Sequence, residues 1–441
     1  MLLAAARRCE PALLVGHRMG KVGKYAARIE ADLTDPDLFS DGPPHEVYRR
    51  LRDDTPIYWH PPTAHTPDEE GFWCLTRYED VEWAAKQPAL FSSVGGGARE
   101  GGGTLIEDLP RDFAAGVLFN MQDDPRHHHL RRLVTPSVSP KQLRSIEASL
   151  TDRCTAILDA VVERGSCDFL VDVAAELPLQ AIAALLGVPQ DDRHFLLEWA
   201  DATLDYDDHD PGSTSARSQA ANAAMADYSV RLLDEKRRCP ADDIMSIIAN
   251  ADLPEGAEPG GPLSELEQQM FFHLLVAAGS ETTRNSITAG LLALIDRPEQ
   301  WDALRADRSL LPGAVEEMLR WASSTIYNRR TATQDVERHG QVIRAGDKVV
   351  LWWQAANYDE RVFARPGEFD IRRSPNPHLS FGVGSHFCLG ANLARLEMKL
   401  VFDGLLDRAE AIELAGPVER TRSNKHAGFR HAPIHIRRAT R

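Results

Sequence analysis

The chain has 441 residues, 43% of them apolar and 26% charged, the balance of a globular protein and not of a fibrous or disordered one. That length holds one large domain or two to three ordinary ones, with a sizeable core. The formal net charge of −16 argues against a general nucleic-acid binder, which needs a basic face, but it leaves room for a local basic dock for an acidic partner.

The opening stretch, MLLAAARRCEPALLVGH, has two short apolar patches broken by Arg7, Arg8, Glu10 and Pro11. It lacks the continuous core of a signal peptide, and no run in the chain approaches the ~20 apolar residues of a membrane span. Residues 1–18 are expected to be a disordered, dispensable extension, with Met19 an alternative start. One domain over 19–441, in the cytoplasm, is expected to follow. Strand-like stretches occur at 56–60 and 72–78, and again at 340–357, where Trp352 and Trp353 are expected in a strand and in the core. Helical periodicity covers 140–164, 174–186, 191–204, 218–238, 264–296 and 312–321. Three irregular stretches interrupt it. The glycine-rich stretch 92–109 lacks the GK[ST] of a phosphate-binding loop and reads as a flexible surface loop. Residues 205–215 join two helices, and 253–262 lead into the longest one. No repeat or linker splits the chain.

The longest helix opens with Ser264 and Glu267 spaced as a capping box. Running to about Ile295 at ~1.5 Å per residue, it is roughly 48 Å long and crosses the molecule. Its middle, AAGSETT (277–283), puts a glycine and two threonines, all poor helix formers, into an apolar helix. Such local conflicts gather at functional sites. Upstream, DDPRHHHLRRLV contains His127, His128 and His129. Neighbours on a helix point about 100° apart, so the three cannot all face one metal.

Six cysteines, at 9, 74, 154, 167, 239 and 388, show no CxxC and no paired spacing, which fits neither a disulfide framework nor a zinc site. Cys388 stands apart, inside FGVGSHFCLG (381–390) and directly before a periodic helix. A helix N-terminus favours an anion such as a thiolate. Gly384 and Gly390 allow close backbone approach, and Phe381 can shield the sulfur. The other five cysteines carry no motif and are expected to be free thiols.

FGVGSHFCLG resembles the FxxGxHxCxG ligand loop of the cytochrome P450 family, the haem-thiolate monooxygenases. Three further signatures follow the family's order: HHHLR (127–131) is similar to its HxxxR, AGSETT (278–283) to its oxygen-activation motif, and EMLR (317–320) to its ExxR. The likeness runs from about Asp35 to Ile436. It implies a mainly α, single large cytochrome P450 fold with a long central helix and a small β-rich region. It implies haem b, with Cys388 as the ligand of the iron and His127, Arg131, Arg330 and His386 at the propionates. It makes Glu281 and Thr282 the acid–alcohol pair that passes protons to the reaction, with Gly279 making room for dioxygen. Glu317 and Arg320 become a structural ion-pair network completed by Arg373, or alternatively by Arg372. The implied partners are O2, a small hydrophobic substrate, and a ferredoxin with its ferredoxin reductase carrying electrons from NAD(P)H. The dock for that acidic protein is expected at Arg132, Lys141, Arg144, Arg395 and Lys399.

Within the family the chain looks like the actinobacterial branch that oxidises steroid side chains, methyl-branched lipids and terpenoids. Val276, Ala277, Ala278, the glycine-rich loop, the 205–215 turn and the stretch after the ExxR helix are expected to line the substrate pocket. Polar residues Ser323, Ser324, Thr325, Tyr327 and Asn328 replace a more apolar run of that branch. They point equally to a biosynthetic enzyme acting on an oxygenated natural-product intermediate. A peroxide-driven peroxygenase, or a silent haem protein, would have no need of Glu281 and Thr282.

Overall fold

The structure, a computed structural model, describes residues 31–97, 99–111, 114–203 and 215–439. The extension at 1–18 and nearly all of the 205–215 turn lie outside them. Helices dominate. The central one, Glu265–Ile295, is capped by Ser264 and Glu267 in reciprocal hydrogen bonds, as their spacing predicts. Helices Glu176–Leu186, Arg193–Thr203, Ala216–Arg238 and Leu311–Ala322 pack against it. Helix Ala391–Arg408 packs along Pro140–Arg164. One apolar cluster, including Phe272, Ile287, Met318 and Phe402, fills the space between these helices. No helix among the described residues is long and apolar enough to cross a membrane.

The β-rich part is a sheet of five strands in the order Ile57–His60, Phe72–Leu75, Lys348–Leu351, Asn328–Ala332 and Phe91–Ser92. Lys348–Leu351 runs parallel to Phe72–Leu75 and antiparallel to Asn328–Ala332. The long strand expected over 340–357 is broken. After Leu351 the chain turns into the helical stretch Trp353–Ala356, because Asn357 is drawn inward to the hydroxyls of Ser323 and Ser380 at 2.8 and 2.9 Å. Trp352 is buried as expected, but at this corner, stacked on Phe39.

The glycine-rich stretch 92–109 is not the loose loop its composition suggests. Ile106 is 1% exposed, and Arg99 forms ion pairs with Glu70 and Asp108. Lys348, fully buried in the sheet, places its Nζ 2.7 Å from Asp68 and 3.5 Å from Asp108, while Arg329 reaches Asp108 at 2.8 Å. Three acids and three bases from distant segments thus fasten the stretch to the sheet. The cost of breaking it falls on the bases, since Lys348 and Arg329 are fully buried and would lose their anions.

Candidate active site

The ligand loop is built by glycine. Gly382 and Gly384 have φ of +65° and +83°, a region that disfavours side chains, and a Cβ at Gly384 would lie 2.7 Å from the Ala85 carbonyl oxygen. The loop closes when the Cys388 N–H donates to the Phe381 carbonyl at 2.8 Å. Gly390 then caps helix Ala391–Arg408, and beyond its chain neighbours no atom of the described residues lies within 4 Å of where its Cβ would be. The Cys388 side chain is accessible, yet dense protein rings it. That burial raises its thiol above the ordinary value, while the N–H groups of Gly390 and Ala391, together with Arg131 and Arg395, act in the opposite sense. Phe381 is covered by the Arg395 guanidinium at 4.6 Å.

Facing this loop is helix Arg126–Val134. His127 is 1% exposed and stacks on His386 with ring centroids 4.1 Å apart. A cleft between the helix and the loop is lined by His127, His128, Arg131, Arg132, Gly384 and Ser385. His128, the next residue along the helix, also lines the cleft. From strand Asn328–Ala332 comes Arg330, 6% exposed, whose guanidinium makes its one hydrogen bond among the described residues to the Arg329 carbonyl at 2.9 Å. Burial brings its guanidinium down to about 10. Burial, with Arg330, His127 and Arg131 nearby, pushes His386 down to about 2. Neither Arg131 nor Arg330 makes an ion pair among the described residues. A buried guanidinium without an anion is a costly arrangement, so this wall is made for a group bearing more than one negative charge.

The central helix presents Ala278 and, one turn on, Thr282 on its more open face. Val276, expected at the pocket, is instead fully buried in the helical core. Thr282 Oγ1 donates to the Ala278 carbonyl at 3.1 Å, and Ser280 and Ser286 bond back in the same way at 2.8 Å each. These hydroxyls satisfy themselves within the helix, which stays continuous. Glu281 is 4% exposed; its Oε2 lies 3.0 Å from His426 Nδ1, a residue that no sequence motif pointed to. Gly279 also meets a neighbouring helix: a Cβ there would lie 2.9 Å from Ile182 Cδ1 and Cγ1, so the glycine eases the close approach of helix Glu176–Leu186.

The ExxR pair is wholly buried. Arg320 holds Glu317 through two hydrogen bonds of 2.8 Å and also binds the carbonyls of Asn357 and Pro366 at 3.0 Å each. Arg373 is the third member, with Nε 3.0 Å from Glu317 Oε2, while Arg372 is exposed.

The match to known proteins follows this geometry. The family model described as Cytochrome P450 matches residues 201–412. Cytochrome P450 126 of Mycobacterium tuberculosis is 47% identical over 411 residues, 92% of this chain and 97% of that protein. The chain belongs to the cytochrome P450 family. A steroid C26-monooxygenase of Rhodococcus jostii is 37% identical over 415 residues, covering 93% of this chain and 85% of its own. Among solved structures, a Mycobacterium marinum cytochrome P450 in complex with pseudoionone superposes with a TM-score of 0.84 at 33% identity, covering 95% of this chain and 100% of that one. The cytochrome P450 fold expected from the sequence is therefore the fold observed, and the enzyme is a monooxygenase with haem iron as its cofactor. The residues present suit that group: an accessible cysteine at a helix N-terminus, and two arginines that make no ion pair among the described residues, beside the stacked rings of His127 and His386.

The polar residues after the ExxR helix are largely used within the protein. Ser323 donates to the Arg320 carbonyl at 2.8 Å, Ser324 meets Ser286 at 2.8 Å, and Asn328 accepts from Trp353 Nε1 at 2.8 Å. Tyr327 is 2% exposed, beneath the Lys425 ammonium at 4.3 Å. Four of the five polar departures are thus engaged inside the protein, and they carry no argument for a polar substrate.

Proposed function

We propose that this cytochrome P450 hydroxylates a mostly hydrophobic small molecule, such as a steroid, branched lipid or terpenoid, with one atom of O2. Electrons come from NAD(P)H through a ferredoxin and its reductase. The observation that carries the reading is the arrangement on the central helix, with the Thr282 hydroxyl on the open face and the Glu281 carboxylate buried behind it. Haem, when bound, would supply the iron chemistry that activates dioxygen, and the Cys388 thiolate would hold that iron as an electron-rich sulfur donor.

The chain's own groups do the rest. Arg131 and Arg330 are suited to paired bonding with the haem propionates, with His127 and His386 beside them. Thr282 Oγ1 gives up its bond to the Ala278 carbonyl to offer a proton on the open face, and Glu281 recharges it through water. The steroid C26-monooxygenase relative supports an apolar substrate, as does the internal use of Ser323, Ser324, Tyr327 and Asn328.

Cys388→Ala should abolish the red-shifted Soret band of the reduced carbon-monoxide complex; its survival would remove Cys388 as ligand. Thr282→Ala should still bind substrate while diverting electrons to peroxide, with product formation falling on the order of 10²-fold. Unchanged coupling of NADH to product would remove the relay. A screen of the ferric low-to-high-spin shift across sterols, branched fatty acids and terpenes should find ligands in these classes. A response only to oxygenated natural products would favour the biosynthetic alternative.

A further inference from the structure

His426 sits on the segment that returns from the C-terminal strands to lie against the central helix. Its backbone is held from several sides. Thr325 and His426 form an isolated bridge, and the His426 N–H donates to Ser423 Oγ at 3.2 Å. Its neighbours are fixed too: the Ala427 N–H donates to the Ser324 carbonyl at 2.8 Å, and the Phe429 N–H reaches Asn285 Oδ1 on the central helix at 3.3 Å. This anchoring brings the ring to Glu281, with Nδ1 and Oε2 at 3.0 Å and the two side chains 14% and 5% exposed.

Nδ1 and Oε2 lie at the distance of an ion pair or a hydrogen bond, and among the described residues no other donor is bonded to Oε2. His426 therefore acts on the carboxylate through charge and hydrogen bonding together, and Oε2 keeps a lone pair for another donor. The carboxylate has little else. Asn285 Nδ2 is 3.5 Å away at Oε1, and Arg284, three residues on, is engaged by Asp201 at 2.8 Å. Lys425, the other cation of the segment, points to the Tyr327 carbonyl at 2.5 Å. Burial alone would raise the Glu281 carboxyl, but His426 and, less strongly, Arg284 more than offset it and hold it below its ordinary value. A desolvated carboxyl that lost such a partner would keep its proton at neutral pH.

We infer that His426 is a positioning residue of the proton relay, holding the buried Glu281 as a carboxylate that can take up each proton arriving from solvent before Thr282 needs it. This rests on the reading of Glu281 and Thr282 as the relay. Nothing in the resemblance to the family assigns a residue to this place.

The test uses the haem-loaded enzyme and four variants: His426→Phe, His426→Lys, Glu281→Gln, and His426→Phe combined with Glu281→Gln. Infrared spectra at neutral pH should show a new protonated carboxyl band in His426→Phe. That band should be absent from the parent enzyme, from His426→Lys, which restores the positive charge, and from the double variant. In turnover, His426→Phe should lower product per NADH about tenfold in favour of peroxide, His426→Lys should recover most of it, and the double variant should be no worse than Glu281→Gln. A His426→Phe enzyme with no new carboxyl band and parental coupling, beside a Glu281→Gln enzyme that is uncoupled, would overturn the role of His426 alone. Parental coupling in Glu281→Gln would overturn the relay itself and the inference with it. A merely structural His426 would give loss of activity without the band and without rescue by lysine.

Discussion

Gly279 of the central helix and Ile182 of helix Glu176–Leu186 meet so closely that a Cβ at 279 would lie 2.9 Å from the isoleucine Cδ1 and 3.3 Å from its Cβ. The glycine lets the two helices come this close. Gly279→Ala is expected to destabilise the protein by about 1–3 kcal/mol through overpacking, measured by denaturant unfolding followed at the haem band. Combined with Ile182→Ala, which removes the obstructing atoms, the loss should be clearly less than the sum of the two single effects. Strict additivity would mean that the two residues do not press on each other.

What the sequence revealed of this site, and what it hid, divides by distance along the chain. The capping box, the ligand loop and the ExxR pair are legible because their partners lie within a few residues, so spacing alone reports contact. The roles of Ser324 and Asn328 were hidden because their partners, Ser286 and Trp353, come from other elements. A polar residue with an invisible partner reads as a polar pocket. Arg99 misled in the same way: glycine-rich composition suggested looseness, while Glu70 supplied an anchor from 29 positions away. His426 had no motif at all, since its meaning comes only from Glu281 across the fold.

The Arg330 guanidinium is buried with a carbonyl for its only hydrogen-bond partner among the described residues. An anionic group docked there gains a desolvated partner, and removing one side of such a pair costs about 2–5 kcal/mol. Arg330→Met, which keeps length and apolar volume, should therefore speed transfer of haem to an acceptor protein by on the order of 10²-fold. The carbon-monoxide complex should keep its thiolate signature, because Cys388 is untouched. Unaltered haem retention would remove Arg330 from the cofactor's binding set.

Glu317 separates the two neighbouring arginines. Its carboxylate takes the Arg373 Nε at 3.0 Å, with the Arg373 side chain 8% exposed, whereas Arg372 lies outside in solvent. Arg373→Ala leaves a buried carboxylate with fewer donors and should cost about 1–3 kcal/mol, read as a drop in melting temperature. Arg372→Ala, at the surface, should fall within about 0.5 kcal/mol of the parent. The reverse order would reassign the network.

The expected dock for an acidic electron carrier is altered by Arg395. Its guanidinium is bound to Glu316 at 2.7 and 2.8 Å and is 34% exposed. Arg395→Glu would therefore set two carboxylates against each other and report on the fold as much as on docking. Arg132, Lys141, Arg144 and Lys399 are exposed and make no ion pair among the described residues, and the helices bearing Lys141 and Lys399 pack together. Charge reversal of Arg132 and Lys399 together should slow reduction by ferredoxin about tenfold at low salt, because such pairs act mainly on the association rate. The difference should shrink as ionic strength rises and the Debye length falls below about 10 Å. Thermal stability should stay unchanged, since both side chains are exposed and neither makes an ion pair among the described residues. A reduction rate indifferent to both substitution and salt would place the electron donor on another face.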